Sequence, residues 1–152
     1  MISVIVATLN SAVSLQTLLP PLVPAAVDGL VREVIAADGG STDATLEICE
    51  DAGVKVVTGG LLAAAAAARG DRVLILPEGL AFAGDWQDRI RAHLTAGGGA
   101  ALVAGARPSG LLARLRSQGL GLLIDRVRLG EGGETRDVAE LVRRHGRGAK
   151  RI

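Results

Sequence analysis

At 152 residues, with 49% hydrophobic but only 1% aromatic residues, the chain can bury one aliphatic core and lacks the aromatic platforms on which single-strand nucleic-acid binders stack bases. Its one cysteine, Cys49, excludes an intramolecular disulfide and a thiolate metal cluster. The net charge of +1 hides an asymmetry: acids outnumber bases 11 to 6 up to residue 106, and bases outnumber acids 11 to 5 from Arg107 onward. A basic C-terminal third suits phosphate, nucleic acid or an anionic membrane surface; the favoured alternative is a solvated helix face followed by a loose tail from Arg147 to Ile152.

Taken in order, the elements alternate between strand and helix, as expected of a largely parallel sheet. Ile2 to Leu9 reads as a strand. Leu15, Leu18, Leu19 and Leu22 then recur at helical spacing, and Pro20, Pro21 and Pro24 predict a short or kinked helix because proline lacks the amide donor. Val31 to Asp38 is the second strand, followed by a helix capped at Ser41 or Thr42, with Asp43 in its first turn, that ends before Gly53. Cys49 shares a helix face with Thr45, Ile48 and Ala52 and is expected as a buried thiol.

Val54 to Thr58 is a third strand, Leu61 to Arg69 an alanine-rich helix, and Arg72 to Leu76 a fourth strand halted by Pro77 and Gly79. Trp86 to Leu94 reads as a helix with Trp86, Ile90 and His93 turned inward. After Gly97-Gly98-Gly99, Ala100 to Ala104 is a fifth strand. Leu111 to Leu115 is expected to be helical, Leu120 to Ile124 to return to the sheet, and Asp137 to His145 to form a final helix. The start of the chain is strand-like, without a basic segment and long apolar run, and no apolar stretch is long enough to span a bilayer, so a soluble cytoplasmic protein is expected.

The chemistry concentrates at strand ends. In open α/β sheets, ligands sit beyond the carboxyl ends of the strands. Ile2 to Asn10 and Val31 to Asp38 both end in polar groups there. A carboxylate such as Asp38 can accept two hydrogen bonds from a base or ribose, and the glycines after it let a backbone approach a ligand. The bland alternative is that Asp38 and Ser41 simply cap a helix.

The segments Ser3-Val4-Ile5-Val6-Ala7-Thr8-Leu9-Asn10 and Glu33-Val34-Ile35-Ala36-Ala37-Asp38-Gly39-Gly40-Ser41-Thr42-Asp43 closely resemble the nucleotide-site strands of the family 2 glycosyltransferases. The resemblance implies a single GT-A, Rossmann-like α/β domain over residues 1–146, with a mainly parallel sheet flanked by helices and a basic tail at 147–152. It also implies that Thr8, Asn10, Asp38, Gly39 and Ser41 bind a nucleoside diphosphate sugar, whose sugar passes to an acceptor that the sequence does not identify.

Ala64 to Leu76 resembles the helix and strand leading into the family's metal site. There an Asp-x-Asp pair holds a divalent cation, Mg or Mn, against the diphosphate. This chain has Pro77-Glu78-Gly79 instead, so Glu78 is the one candidate metal ligand. Asp137 to Arg144 resembles the acidic pair that opens a late helix, whose second carboxylate is the general base. Counting back from Leu141 puts Asp137 and Val138 at that pair, so Asp137 is the candidate base, or else an ordinary first-turn acid.

Two further readings stand beside transfer. One is a catalytically inactive GT-A module for binding or assembly, favoured by the replaced Asp-x-Asp pair. The other places Leu111 to Leu129, with Arg114, Arg116, Arg126 and Arg128, on a membrane surface near a lipid-linked acceptor, against ordinary core packing by the same leucines. A nucleotidyltransferase is disfavoured, since no glycine-rich basic phosphate loop follows the first strand.

Overall fold

The computed structural model describes residues 1–106, 119–130, 135 and 137–152. The helix expected at Leu111 to Leu115, and with it Arg114 and Arg116, lies outside the described residues. Among the described residues seven strands form one sheet: β1 (Ile2–Thr8), β2 (Val31–Asp38), β3 (Lys55–Thr58), β4 (Arg72–Leu76), β5 (Ala101–Val103), β6 (Gly121–Asp125) and β7 (Lys150–Arg151). Their spatial order is β3-β2-β1-β4-β6-β5-β7. The pairs β1–β2, β2–β3 and β1–β4 are parallel, and β6 runs antiparallel between β4 and β5. Six α-helices are described: α1 (Ala12–Leu18), α2 (Leu22–Val27), α3 (Thr45–Asp51), α4 (Gly60–Ala66), α5 (Trp86–Thr95) and α6 (Val138–His145). A 3-10 turn over Arg126–Gly130 follows β6.

The alternation of β1 explains the two cores. Ile2, Val4 and Val6 point to one face and pack with Leu15, Leu18, Leu22, Cys49, Trp86 and Ile90. Ile5 points to the other, with Leu61, Ala64, Leu129, Val138 and Leu141. Burial on both faces is why β1 and β4 read as near-continuous apolar runs rather than alternating ones. Small side chains let α4 lie close to the sheet, with Ala64 fully buried. Thus α4 and α6 share a face, α4 over β1, β2 and β3 and α6 over β6.

The prolines act as expected, dividing the first helical stretch into α1 and α2. Cys49 is buried, and Trp86, Ile90 and His93 turn inward. Three readings need correction. The helix after β2 starts at Thr45 rather than Ser41 or Thr42, because Ser41 is bound to Asp38 and Asp43 instead accepts the Thr45 backbone N–H at 3.0 Å. The alanine-rich helix ends at Ala66 rather than at Arg69. The supposed loose tail supplies β7, where Lys150 pairs with Ala101 and Arg151 with Leu102, and Ile152 packs on the core.

Candidate functional site

A cleft of about 570 Å³ opens beyond the carboxyl ends of β1, β2 and β4. Ala7, Thr8 and Leu9 from β1 line it, with Ala37, Asp38 and Gly39 from β2 and Gly60 and Leu61 at the start of α4. Its floor is Pro77 and Glu78 after β4, beside Gly119 and Leu120 before β6. The opposite wall is Asp137 with Val138, Ala139, Val142 and Arg143 of α6. Asp38, Glu78 and Asp137 therefore face one cleft. Strand order makes this so: β2, β1, β4 and β6 are consecutive neighbours, and β6 enters the sheet from the cleft edge because it alone among them is reversed.

The β2 end is densely bonded. Parallel register sets Thr8 against Asp38, and the Thr8 hydroxyl donates to Asp38 Oδ1 at 3.1 Å. Ser41 Oγ donates to the same oxygen at 2.5 Å, while the N–H groups of Gly40 and Ser41 each donate to Oδ2 at 2.9 Å. Four donors match the roughly four acceptor positions of a carboxylate. Burial pushes the Asp38 pKa up, but the bonds from Ser41, Gly40 and Thr8 together outweigh it and hold the group below its ordinary value. Gly40 has φ 103°, which a side chain would resist, so this glycine is what lets the loop curl back onto the carboxylate.

A second polar chain crosses the strand ends. Ser11, 2% exposed, accepts from Leu9 N at 2.9 Å and donates to Glu78 Oε2. Its backbone N–H donates to Thr45 Oγ1 at 2.8 Å, and the Thr45 hydroxyl donates in turn to Asp43 Oδ1. That hydroxyl bond is the main reason Asp43 stays below the ordinary aspartate range. The Cys49 thiol, beneath this network, is pushed up by burial and then by the negative charge of Asp38. It is a packing group.

The α6 end is sparse by comparison. Asp137 caps the helix, its Oδ1 accepting from Ala139 N at 2.8 Å. Its Oδ2 lies 3.9 Å from the Arg143 guanidinium, and both side chains are mostly solvated, 61% and 73% exposed. Val138, at the position where the family's base was expected, is 5% exposed and belongs to the core. Arg144 pairs with Glu140 at 2.7 Å on another side of the helix.

The predicted residues divide accordingly. Thr8, Asp38, Gly39, Glu78 and Asp137 line the cleft. Asn10 and Ser41 do not. The Asn10 side-chain oxygen accepts from Thr42 N at 2.8 Å, and the Asn10 N–H donates to Ser41 Oγ at 2.9 Å, so both are spent on loop structure. For a divalent cation the donor set does not fit: Pro77 and Gly79 offer no side-chain ligand, Glu78 is held by Ser11, and no group of three His, Cys, Asp or Glu among the described residues could hold a metal. Sequence reasoning missed Ser11, Thr45, Gly60, Leu61 and Arg143. Gly59-Gly60 after a strand is a visible turn signal, and Ser11 directly precedes α1; nothing in the sequence marks the side of α6 that Arg143 occupies.

No protein-family model matches the chain, and no curated protein matches it either. Solved structures do. Glucosyl-3-phosphoglycerate synthase from Mycobacterium tuberculosis, in complex with Mn2+, UDP and glucosyl-3-phosphoglycerate, is similar at TM-score 0.70 and 24% identity, over 100% of this chain and 69% of that one. The same enzyme with Mn2+, UDP-glucose and phosphoglyceric acid matches at TM-score 0.70 and 25% identity, again over 100% and 69%. A further mycobacterial protein matches at TM-score 0.71 and 25% identity, over 100% of this chain and 64% of its own. The likeness to glycosyltransferases first visible in two strand ends holds in three dimensions, and the chain has the GT-A fold.

Proposed function

We propose that the cleft binds a nucleoside diphosphate sugar and that the chain is a glycosyltransferase of the GT-A type. The observation that carries this reading is the convergence of Asp38 with Thr8, Glu78 and Asp137 on one cleft in that fold. Neighbours of the same fold were solved with UDP and UDP-glucose, so uridine nucleotides are the first donors to try.

In this reading the β2 end holds the nucleoside. A ribose or base edge would exchange with the Ser41 or Thr8 hydroxyl at Asp38 Oδ1, since the carboxylate has no spare acceptor position. Leu9 and Leu61 offer apolar surface beside it. The acceptor hydroxyl attacks the anomeric carbon, its oxygen forms the new bond to that carbon, the bond to the diphosphate oxygen breaks, and Asp137 takes the hydroxyl proton. Nothing in the described residues favours a lipid-linked acceptor, and no described helix is long and apolar enough to cross a membrane.

Calorimetry with UDP and UDP-glucose tests binding, and turnover of UDP-glucose tests transfer. Binding by the native chain that is lost in Asp38→Asn, with the variant still folded, is the expected result; no binding of any nucleotide defeats the proposal. A second reading, a module that binds without transferring, is favoured by Pro77-Glu78-Gly79 and by the buried Val138. It predicts binding with neither hydrolysis nor transfer of any donor in a nucleotide-sugar panel.

A further inference from the structure

We propose that Arg143 takes the place of the metal ion, so that this cleft holds a diphosphate without a divalent cation. The inference rests on the nucleotide-sugar reading above and adds to it how the leaving group is held. It begins from the donor set: where a cation would sit, β4 ends in Pro77-Glu78-Gly79, and the described residues gather no metal-holding group. A polyanionic leaving group still requires positive charge in the cleft.

Among the described lining residues Arg143 is the one cation. Its position follows from α6 itself. Val138, Ala139, Val142 and Arg143 share one side of the helix by the four-residue spacing, and that side lines the cleft while Leu141 is fully buried beneath. Glu140 and Arg144 neutralise one another elsewhere on the helix. Arg143 has Asp137 as its partner at 3.9 Å, beyond hydrogen-bond range, so the guanidinium keeps its planar fork of donors for a phosphate.

Two of the three carboxylates of the cleft are engaged by protein donors rather than by Arg143. Asp38 is satisfied by four protein donors and Glu78 accepts from Ser11, which leaves Asp137 as the acid beside Arg143. The spacing is also suitable. Asp38 ends β2 and α6 packs over β6, three strand spacings away, roughly 14 Å across the sheet. A nucleoside at one end would extend its diphosphate toward the other.

The test is calorimetric titration of the full chain with UDP and, separately, with inorganic pyrophosphate, each in chelator and in excess Mg2+ or Mn2+. The expected result is that both ligands bind in chelator, that metal strengthens neither, and that Arg143→Gln weakens both by about tenfold to a hundredfold, the loss of one or two charge-assisted contacts. Arg143→Lys should recover part of the loss. UDP binding that requires metal, or that is equal in Arg143→Gln, overturns the inference and leaves the nucleoside reading standing. Pyrophosphate binding that depends on Arg143, with UDP no tighter, supports the inference and removes the nucleoside reading. Binding of neither ligand overturns both.

Discussion

At the β2 end of the cleft, Asp38 accepts four hydrogen bonds and is 5% exposed, whereas at the α6 end Asp137 and Arg143 face each other at 3.9 Å with most of their side chains in solvent. The first end is assembled before any ligand arrives: strand register, a glycine with φ 103° and two hydroxyls hold one carboxylate in place. The second end is a helix surface whose charged groups are largely accessible to solvent. The contrast teaches that recognition and charge compensation are separable here. Mutation of Asp38 is expected to cost stability and binding together, and mutation of the exposed Arg143 to alter ligand binding while sparing the fold.

The largest effect is expected from Asp38→Ala, which leaves two backbone N–H groups and two hydroxyls without their acceptor. It should destabilise by about 3 kcal/mol, a fall in Tm of roughly 6–12 °C for a chain of this size. The pH dependence sharpens the point. The Asp38 pKa is lowered from 3.8, so its stabilising contribution is complete above that value and is lost as pH falls through the lower folded pKa. Asp38→Asn should therefore flatten the stability profile below about pH 4; an unchanged acid limb would show that the four bonds do not favour the charged form.

Next in size is Val138→Asp, which restores an acid where the family's base was expected. Since Val138 is 5% exposed and packed with the core, an aspartate there should destabilise by about 2 kcal/mol and confer no gain in transfer. A stable variant with higher turnover would break the assignment of this residue to packing. Asp137→Ala removes a helix cap and should destabilise by about 1 kcal/mol in urea melts, with Asp137→Ser recovering most of the loss. Any transfer activity should nonetheless disappear in both. Smallest of all, Arg143→Gln should change stability by less than about 0.5 kcal/mol, because its side chain is 73% exposed. A large loss of stability there would mean that Arg143 is structural and the two ends are not so different.

Much of the β2 end was legible because its groups are close in sequence or related by strand register. Apolar runs ending at Thr8 and Asp38, and glycines directly after Asp38, carry their geometry locally. What remained hidden there was competition among polar groups: Ser41 has the appearance of a helix cap and instead binds Asp38, and Asn10, read as a ligand contact, accepts the Thr42 N–H. The terminal strand β7 was unreadable for a different reason. Two basic residues have little strand preference, and their pairing with β5 depends on an edge that local sequence does not describe.

The sequence by itself determined the aliphatic core, the alternation of strand and helix and the polar strand ends, because periodicity and backbone preference act over a few residues. The tertiary structure decided that Asp38, Glu78 and Asp137 share one cleft, that Ser11 binds Glu78, and that Arg143 rather than Arg144 faces the cleft. Those outcomes follow from strand order and from the packing of α6 on β6, in which residues far apart along the chain are brought together by burial of apolar surface.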